Sequence, residues 1–500
     1  MPIPSHPEAQ TAKRSGFAIG MRFASAIALA LATAGCLSLA PPYQRPPLPV
    51  PDTWPVDAPA GDTTSAHQID WRSYFPDARL QVLIEQALEH NRDLRIAVQR
   101  VEEARATYGI QRADAFPTIA AGGAYAHFRA PGALLPTGTI EGNVYQAGLT
   151  ESNWELDFWG RVRSLKDAAL EQFLASDASR RAVTISLITN VADNYLVLCE
   201  FDERIALAQA TIVSRTESLR IFRRRYEVGS ISRLDLRQSE ILLQQAQTLI
   251  AQLEQSRAAE AHALDLLVGA PSAVLPEPLD DTSVRPELRA GLPSTLLERR
   301  PDIVAAEYQL RAANANIGAA RAAFFPRVTL TGTVGTISTD VQGLFASGSG
   351  AWIFTPNVSL PVFDAGRNRS NLQLARARES EAVAQYEKTI QQAFRDVADA
   401  LSARQWLADQ VRTEHDTLAA QSDRARLVRM RYDSGATTFM EVLDAQRDLL
   451  NAQQQLVQTR RALLTSRVAL YAALGGGVPD AMQTPPPLSG GPTPKQDPLP

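Results

Sequence analysis

A reactive thiol, a metal cluster or an acid–base pair each needs particular residue types at a particular spacing, and this chain offers few. It has two cysteines, Cys36 and Cys199, and histidines at 6, 67, 90, 127, 262 and 415. Two cysteines make neither a disulfide framework nor a Cys-based zinc site, and no two histidines stand at ligand spacing. Cys199 closes the apolar stretch Tyr195-Leu-Val-Leu-Cys199 and reads as a small core residue. No Walker loop, Gly-x-Gly-x-x-Gly or Gly-x-Ser-x-Gly occurs. The carboxylates are spread along helical stretches, as solvated faces are. The chain therefore reads as a non-enzyme without metal or cofactor.

Cys36 is the exception. Lys13, Arg14 and Arg22 precede an apolar segment from Phe23 to Ala34, and the small residues Ala34 and Gly35 then meet the thiol. A basic region, a short apolar run and a small-residue junction make a signal peptide, here 1–35. A cysteine directly after the small pair is similar to a bacterial lipobox, in which that thiol is lipidated. Thr33 stands where such boxes usually carry Leu, so cleavage beside an unmodified Cys36 stays open, as does a start at Met21. Lipidation would anchor the chain without a spanning helix.

The elements behind these residues follow from composition and repetition. With 500 residues, 50 Lys+Arg against 54 Asp+Glu and a net charge of −4, the chain lacks the basic excess of a nucleic-acid binder. It is 45% hydrophobic and 21% charged, which excludes a disordered chain. A mean hydropathy of −0.16 and the absence of an 18-residue apolar run exclude a polytopic helical membrane protein, though not a β-barrel. Residues 36–78 form a Pro-rich extension, and 476–500 a Gly- and Pro-rich tail that reads as disordered.

The body is a duplication. With a shift of about 209 residues, Asn91-Arg-Asp-Leu94 falls on Arg300-Pro-Asp-Ile303, and Ala113-Asp-Ala-Phe-Pro117 on Ala322-Ala-Phe-Phe-Pro326. With a shift of about 206, Gly160-Arg161 meets Gly366-Arg367, and Arg225-Tyr226-Glu-Val-Gly229 meets Arg431-Tyr432-Asp-Ser-Gly435. The copies span 79–270 and 292–475, joined by a linker at 271–291. Each reads as helix, two strands, long helix, turn, helix. Leu80, Ala87, Leu94, Val101 and Tyr108 recur every seventh position, a coiled-coil stripe predicting one helix up to Pro117. Strands are expected near 118–128 and 143–157, and more clearly where Val328, Leu330 and Val334 alternate with Thr329, Thr331 and Thr333, and where Trp352, Phe354, Val358 and Leu360 alternate with polar residues. The threonine face should meet water and the aromatic face lipid.

From Gly160 to Tyr226, and from Arg367 to Asp433, only the first residue of the first run is Gly and none is Pro. Each run predicts a helix about 100 Å long at 1.5 Å per residue, stable only when packed sideways. The Gly229 and Gly435 turns send the chain back through shorter helices. Four strands cannot close a membrane barrel, which starts at about eight, and open edges do not survive in lipid. Other subunits must supply the rest; a trimer would give twelve.

Leu296-Leu-Glu-Arg-Arg-Pro-Asp-Ile303, with Ala306-Glu307, Leu310, Ala312-Ala313, Ile317-Gly318 and Phe325-Pro326, resembles the hallmark of TolC-like outer-membrane efflux proteins, in their OprM/NodT lipoprotein branch. So do Arg431-Tyr432-x-x-Gly435, Leu443-Asp444-Ala445-Gln446-Arg447, Leu474-Gly-Gly-Gly477 and the Cys36, Pro42-Tyr43, Arg45-Pro46 opening. The resemblance covers 36–477. It implies an α+β membrane protein: a homotrimer whose twelve-stranded outer-membrane barrel continues into a periplasmic helical barrel. Such a duct passes small molecules outward passively, with a periplasmic adaptor and an inner-membrane RND pump as partners. A type I protein-secretion duct is the near alternative, and a soluble periplasmic coiled-coil scaffold a remoter one. The resemblance also implies that the Gly229 and Gly435 turns are the tip where the adaptor docks, and that Met440 and Asp444 form apolar and acidic rings of a gate. Arg299, Arg300 and Asp302 read as structural, with Pro301 at the first helical position and Asp302 at the positive end of the helix dipole.

Overall fold

A computed structural model describes residues 38–54, 69–131, 140–272, 277–285, 288 and 300–477. Cys36, the signal peptide, Arg299 and nearly all of the C-terminal tail lie outside them. The elements run α1 (Trp71–Tyr74), α2 (Ala78–His90), α3 (Arg92–Ala113), β1 (Ile119–Ala130), β2 (Ile140–Glu155), α4 (Arg161–Glu227), α5 (Arg233–Val268), α6 (Pro301–Ala322), β3 (Arg327–Ser338), β4 (Gly350–Ser359), α7 (Arg367–Asp433) and α8 (Phe439–Ala473). The chain divides into two compact units, one of 1–46, 102–173 and 308–384, the other of 47–101, 174–307 and 385–500.

The first unit carries the sheet, an antiparallel meander in the order β1-β2-β3-β4. The two repeats pair alike: Ile119 faces Glu151 in the first and Val328 faces Val358 in the second. β2 joins them to β3, with Thr150 opposite Thr333. A bulge between Glu151 and Trp154 places Asn153 at φ 62°, a left-handed value Asn tolerates better than most residues. Thr329, Thr331 and Thr333 face Asn357, Thr355 and Ile353, whereas Val328, Leu330 and Val334 face Val358, Pro356 and Trp352. Side chains alternate along a strand, so these are opposite faces, one small and largely polar, the other apolar. Leu360 falls just past the end of β4.

Beside the sheet, residues 38–46 lie along α6 as an extended strap. Arg321 donates to the carbonyl of Leu39, Asn314 to that of Pro41, and the Arg311 guanidinium stacks over Tyr43. Gly318 is where the strap presses closest: a Cβ there would sit 2.6 Å from Ser164 Oγ and 2.9 Å from Ala40. That crossing explains the glycine of the Ile317-Gly318 motif, a poor residue for a helix interior.

In the second unit the periodicity misleads once. The single helix expected up to Pro117 is two, α2 and α3, broken at Asn91. Asn91 Oδ1 accepts from the Leu94 amide and its Nδ2 donates to Leu267 O, while Gly269, at φ 78°, presses on the His90 carbonyl. Tertiary contact, absent from a heptad pattern, breaks the helix. α4 holds a stretch long and apolar enough to cross a membrane, but 61% of it is buried within the chain.

The Arg-Arg-Pro-Asp motif opens α6, with Pro301 first and Asp302 next. The Arg300 guanidinium pairs with Asp302 at 2.7 Å and Asp396 at 3.3 Å and donates to Ala473 O at the end of α8. The Gly475-Gly-Gly477 run then seats on Ile69 and Asp70, where a Cβ on Gly477 would collide with the Ile69 carbonyl. Both motifs tie chain ends together.

Candidate gate and docking turns

All four candidate residues of the turns lie in the second unit. At the first turn Ser230 N–H donates to Arg225 O and Gly229 N–H to Tyr226 O, both 2.9 Å; at the second Ala436 donates to Arg431 O at 2.8 Å and Gly435 to Tyr432 O at 2.9 Å. This paired pattern is a Schellman stop, which needs a left-handed residue after the helix. Gly229 has φ 73° and Gly435 φ 78°. A Cβ at either would meet nothing within 4 Å, so conformation alone demands glycine. The Arg-Tyr-x-x-Gly spacing is thus the sequence image of a helix stop.

Between the turns lies a small apolar core of Phe222, Leu236, Phe439, Val442 and Leu443, flanked by Ile231, Val428 and Tyr432. The Phe222 and Phe439 rings are 3.8 Å apart, centre to centre. Arg225 links the hairpins: its Nη1 donates to the Tyr432 hydroxyl at 2.5 Å and its guanidinium lies 5.7 Å over the Tyr432 ring. Deeper in, Arg215 donates to Leu242 O, and loss of water pulls its guanidinium below its usual pKa.

Met440 and Asp444 are one helical turn apart on α8, on the side opposite the core. Met440 is 43% exposed, while Phe439 and Val442 are buried. Met440 is therefore no part of the chain's own core. Asp444 is half-buried, and it is not a lone carboxylate. Arg447 pairs with Asp444 at 3.1 Å and Asp448 at 3.6 Å, and Arg424 of α7 pairs with Asp448 at 2.7 Å. The geometry brings together an apolar side chain and a chain of alternating charges. Sequence reading missed Arg447 and Arg424 as members; the Asp444-x-x-Arg447 spacing signals the first, and nothing local signals the second, which reaches Asp448 from α7.

The residues weighed for other chemistry stand apart. The Cys199 thiol is buried, and burial pushes its pKa up to about 12, which leaves no thiolate to react. Among the described residues no group of three His, Cys or acidic side chains is placed to hold a metal ion.

Comparison with known proteins completes the picture. The family profile described as outer membrane efflux protein matches residues 83–270 and 292–476. The chain is 42% identical over 461 residues to the outer membrane protein OprJ of Pseudomonas aeruginosa, covering 91% of this chain and 95% of OprJ. It is 42% identical over 466 residues to the toluene efflux pump outer membrane protein TtgI of Pseudomonas putida, covering 91% of this chain and 99% of TtgI. Among solved structures, a membrane protein from Pseudomonas aeruginosa superposes with a TM-score of 0.83 at 40% identity, covering 88% of this chain and 98% of its own. The open state of the Neisseria gonorrhoeae MtrE outer membrane channel superposes with a TM-score of 0.80 at 37% identity, covering 88% and 98%.

Proposed function

The chain belongs to the outer membrane efflux protein family, and from that premise we propose how it works: as a passive homotrimeric duct with a gate at its helical turns. It is an efflux channel of the outer membrane and not an enzyme. Three copies supply twelve strands for one closed barrel, which removes the open edges that lipid does not tolerate. The helices continue the duct into the periplasm. The Gly229 and Gly435 turns receive a periplasmic adaptor, an inner-membrane RND pump supplies the energy, and the cargo is small, apolar or amphiphilic. Relatives are named for toluene, solvents and antibiotics, which fits a duct that does not itself select its cargo. Cys36 carries lipid, a second hold on the membrane.

Threefold symmetry turns one axial residue into a ring. Met440 forms an apolar ring that keeps water out, and Asp444 with Arg447 a charged ring beside it. The observation carrying this is the outward-facing pair on the first turns of α8, directly after the Gly435 stop. A deletion strain complemented with the gene tests the duct. Restored resistance to toluene and apolar drugs, with a heat-dissociable trimer in outer-membrane fractions, is expected. Restored export of a protein substrate instead would favour type I secretion, and a soluble monomer would overturn the duct.

A further inference from the structure

The apolar face of the sheet can be followed from end to end, because the pairings fix its rows. At the end that joins the helices, Trp154 and Pro356 flank Leu330. Toward the hairpin loops Tyr125 faces Tyr145, with ring centres 4.9 Å apart, and Tyr145 faces Ser338. From Leu330 to Ser338 the face rises roughly 20 Å, at ~3.3 Å per residue and a strand tilt of about 40°. Beyond the tyrosines it turns polar: a His127 ring nitrogen lies 2.9 Å from Asn143 Oδ1, and Arg129 pairs with Glu141 at 3.7 Å. Glu151, one row in from Trp154, turns back to accept from the Trp154 amide at 2.9 Å. Membrane barrels carry an apolar band of about 25 Å between two aromatic girdles. Trp154 and the tyrosine pair hold the places of those girdles.

Trp154 also borders a cavity of about 360 Å³, which lies within the unit that carries the sheet. Phe158 and Val162 line it with apolar surface, and Asp157, Arg163 and Lys166 with charge. Arg163 and Lys166 stand three residues apart on α4, on one side of the helix. Glu155, also in the wall, is already answered by Arg161 at 2.7 Å and Arg327 at 2.6 Å. Asp157 is answered on one side only. Its Oδ2 accepts from the Arg163 amide at 2.8 Å, while its Oδ1 is buried with no hydrogen-bond partner among the described residues. A buried carboxylate oxygen is costly until a donor reaches it. The cavity thus offers two cations and one unanswered acceptor beside a tryptophan.

We propose that this cavity takes the headgroup of a zwitterionic, ethanolamine-type phospholipid from the periplasmic leaflet. The phosphate sits on Arg163 and Lys166, and the ammonium donates to Asp157 Oδ1. The level follows from the rows: the helices leave the sheet at the Trp154 end, so that girdle marks the periplasmic surface of the membrane. The charges select the headgroup. Basic pockets at that depth bind lipid phosphates, and the unanswered carboxylate oxygen asks for a donor that an anionic glycerol headgroup does not supply as an ammonium. The face above supplies the place for the acyl chains, with Ile119 67% exposed in the row next to Trp154. The bound lipid would fix the height of the barrel in the membrane. The inference rests on the barrel reading, since only a sheet closed within a membrane sets lipid against this face.

Native mass spectrometry of the intact channel in mild detergent, titrated with phosphatidylethanolamine, phosphatidylglycerol or inorganic phosphate, tests the site. Wild type should retain phosphatidylethanolamine in preference to phosphatidylglycerol, and inorganic phosphate should not displace it. Arg163→Gln with Lys166→Gln should weaken that binding by about ten-fold, the loss of two charge-assisted contacts. Lys166→Gln alone, should the double variant not assemble, should weaken it by about three-fold. Asp157→Asn should erase the preference between the two lipids, and Arg129→Gln at the far rim should change nothing. Equal binding of both lipids to wild type, displacement by phosphate alone, or an equal loss in Arg129→Gln overturns the site. A fluorophore on Leu149→Cys or Thr331→Cys, in vesicles with brominated acyl chains, tests the barrel reading separately. Quenching at Leu149 and not at Thr331 supports the lipid-facing assignment, so that a missing headgroup preference then sinks the site alone. Quenching at Thr331 and not at Leu149 overturns the face and the site with it.

Discussion

The hairpin turns at Gly229 and Gly435 begin with the same Arg-Tyr-x-x-Gly stop and end differently. After the first, Ser232 Oγ accepts from the Asp235 amide and Asp235 returns the bond to the Ser232 amide, a complete capping box. After the second, Thr438 holds the same place with no side-chain cap, and the hydroxyl of neighbouring Thr437 is buried without a partner. Glu441, where the first turn has Asp235, faces Arg431 at 3.9 Å instead. The first α5 residue, Arg233, corresponds to buried Phe439, and exposed Leu234 to exposed Met440. Both turns keep their Schellman bonds, but the first return helix starts on its own capping box, whereas the start of the second is held by an aromatic side chain packed on its neighbour. A turn fixed locally keeps its shape when its surroundings change. A turn fixed by packing can be released at one contact, as a gate requires.

The largest test of this contrast removes the packing. Phe439→Ala should destabilise the second turn by about 3–5 kcal/mol, the usual cost of a buried Phe. At about 1.4 kcal/mol per tenfold, amide exchange over 436–445 should accelerate on the order of a hundred-fold or more. Arg233→Ala at the corresponding place should leave exchange in the first turn nearly unchanged. Equal effects would mean that the two turns are held alike.

A smaller effect is expected at the link between them. Tyr432→Phe keeps the ring on Phe439 and removes only the hydroxyl that receives Arg225, an exposed contact worth about 1 kcal/mol. Single-channel conductance in planar bilayers should rise, and Arg225→Ala should raise it likewise. Conductance unchanged in both would show that the contact does not restrain the gate.

The cap itself is of similar size. Ser232→Ala should cost about 1 kcal/mol and speed exchange over 233–236, whereas Thr438→Ala should change little, because its hydroxyl caps nothing. The reverse order would place the closed end at the wrong turn.

Much of this fold is legible because its signals are local. The absence of Pro and Gly marks α4 and α7, alternation marks β3 and β4, and Arg-Tyr-x-x-Gly marks two helix stops. What escapes sequence reading depends on distant neighbours. Asn91 breaks a continuous heptad pattern because Leu267 and Gly269 press on it. Gly318 looks like a weak point in α6 until the strap at Ala40 crosses it. Met440 and Asp444 came from resemblance, and the structure adds what resemblance omitted, that Asp444 shares Arg447 with Asp448.

That sharing shapes the last test, whose effect is the smallest and whose sign is the most specific. In the proposed trimer, the charge near the axis is the balance of Asp444, Arg447 and Asp448 in each copy. Asp444→Asn removes one negative charge per copy while keeping the side-chain shape, and it leaves Arg447 answered only by Asp448. Cation preference, read as the reversal potential under a salt gradient, should fall. Arg447→Ala strips the positive charge from between two carboxylates, so cation preference should rise. Gln238, which corresponds to Asp444 in the first hairpin, carries no charge, so Gln238→Ala should leave the reversal potential where it was. Both carboxylate and arginine reach water, so salt screens them and each shift should shrink as ionic strength rises. Opposite signs at Asp444 and Arg447, with silence at Gln238, would place the charged ring on the second hairpin. Shifts of the same sign, or a response at Gln238, would mean that the two hairpins share the pore and that the constriction lies elsewhere.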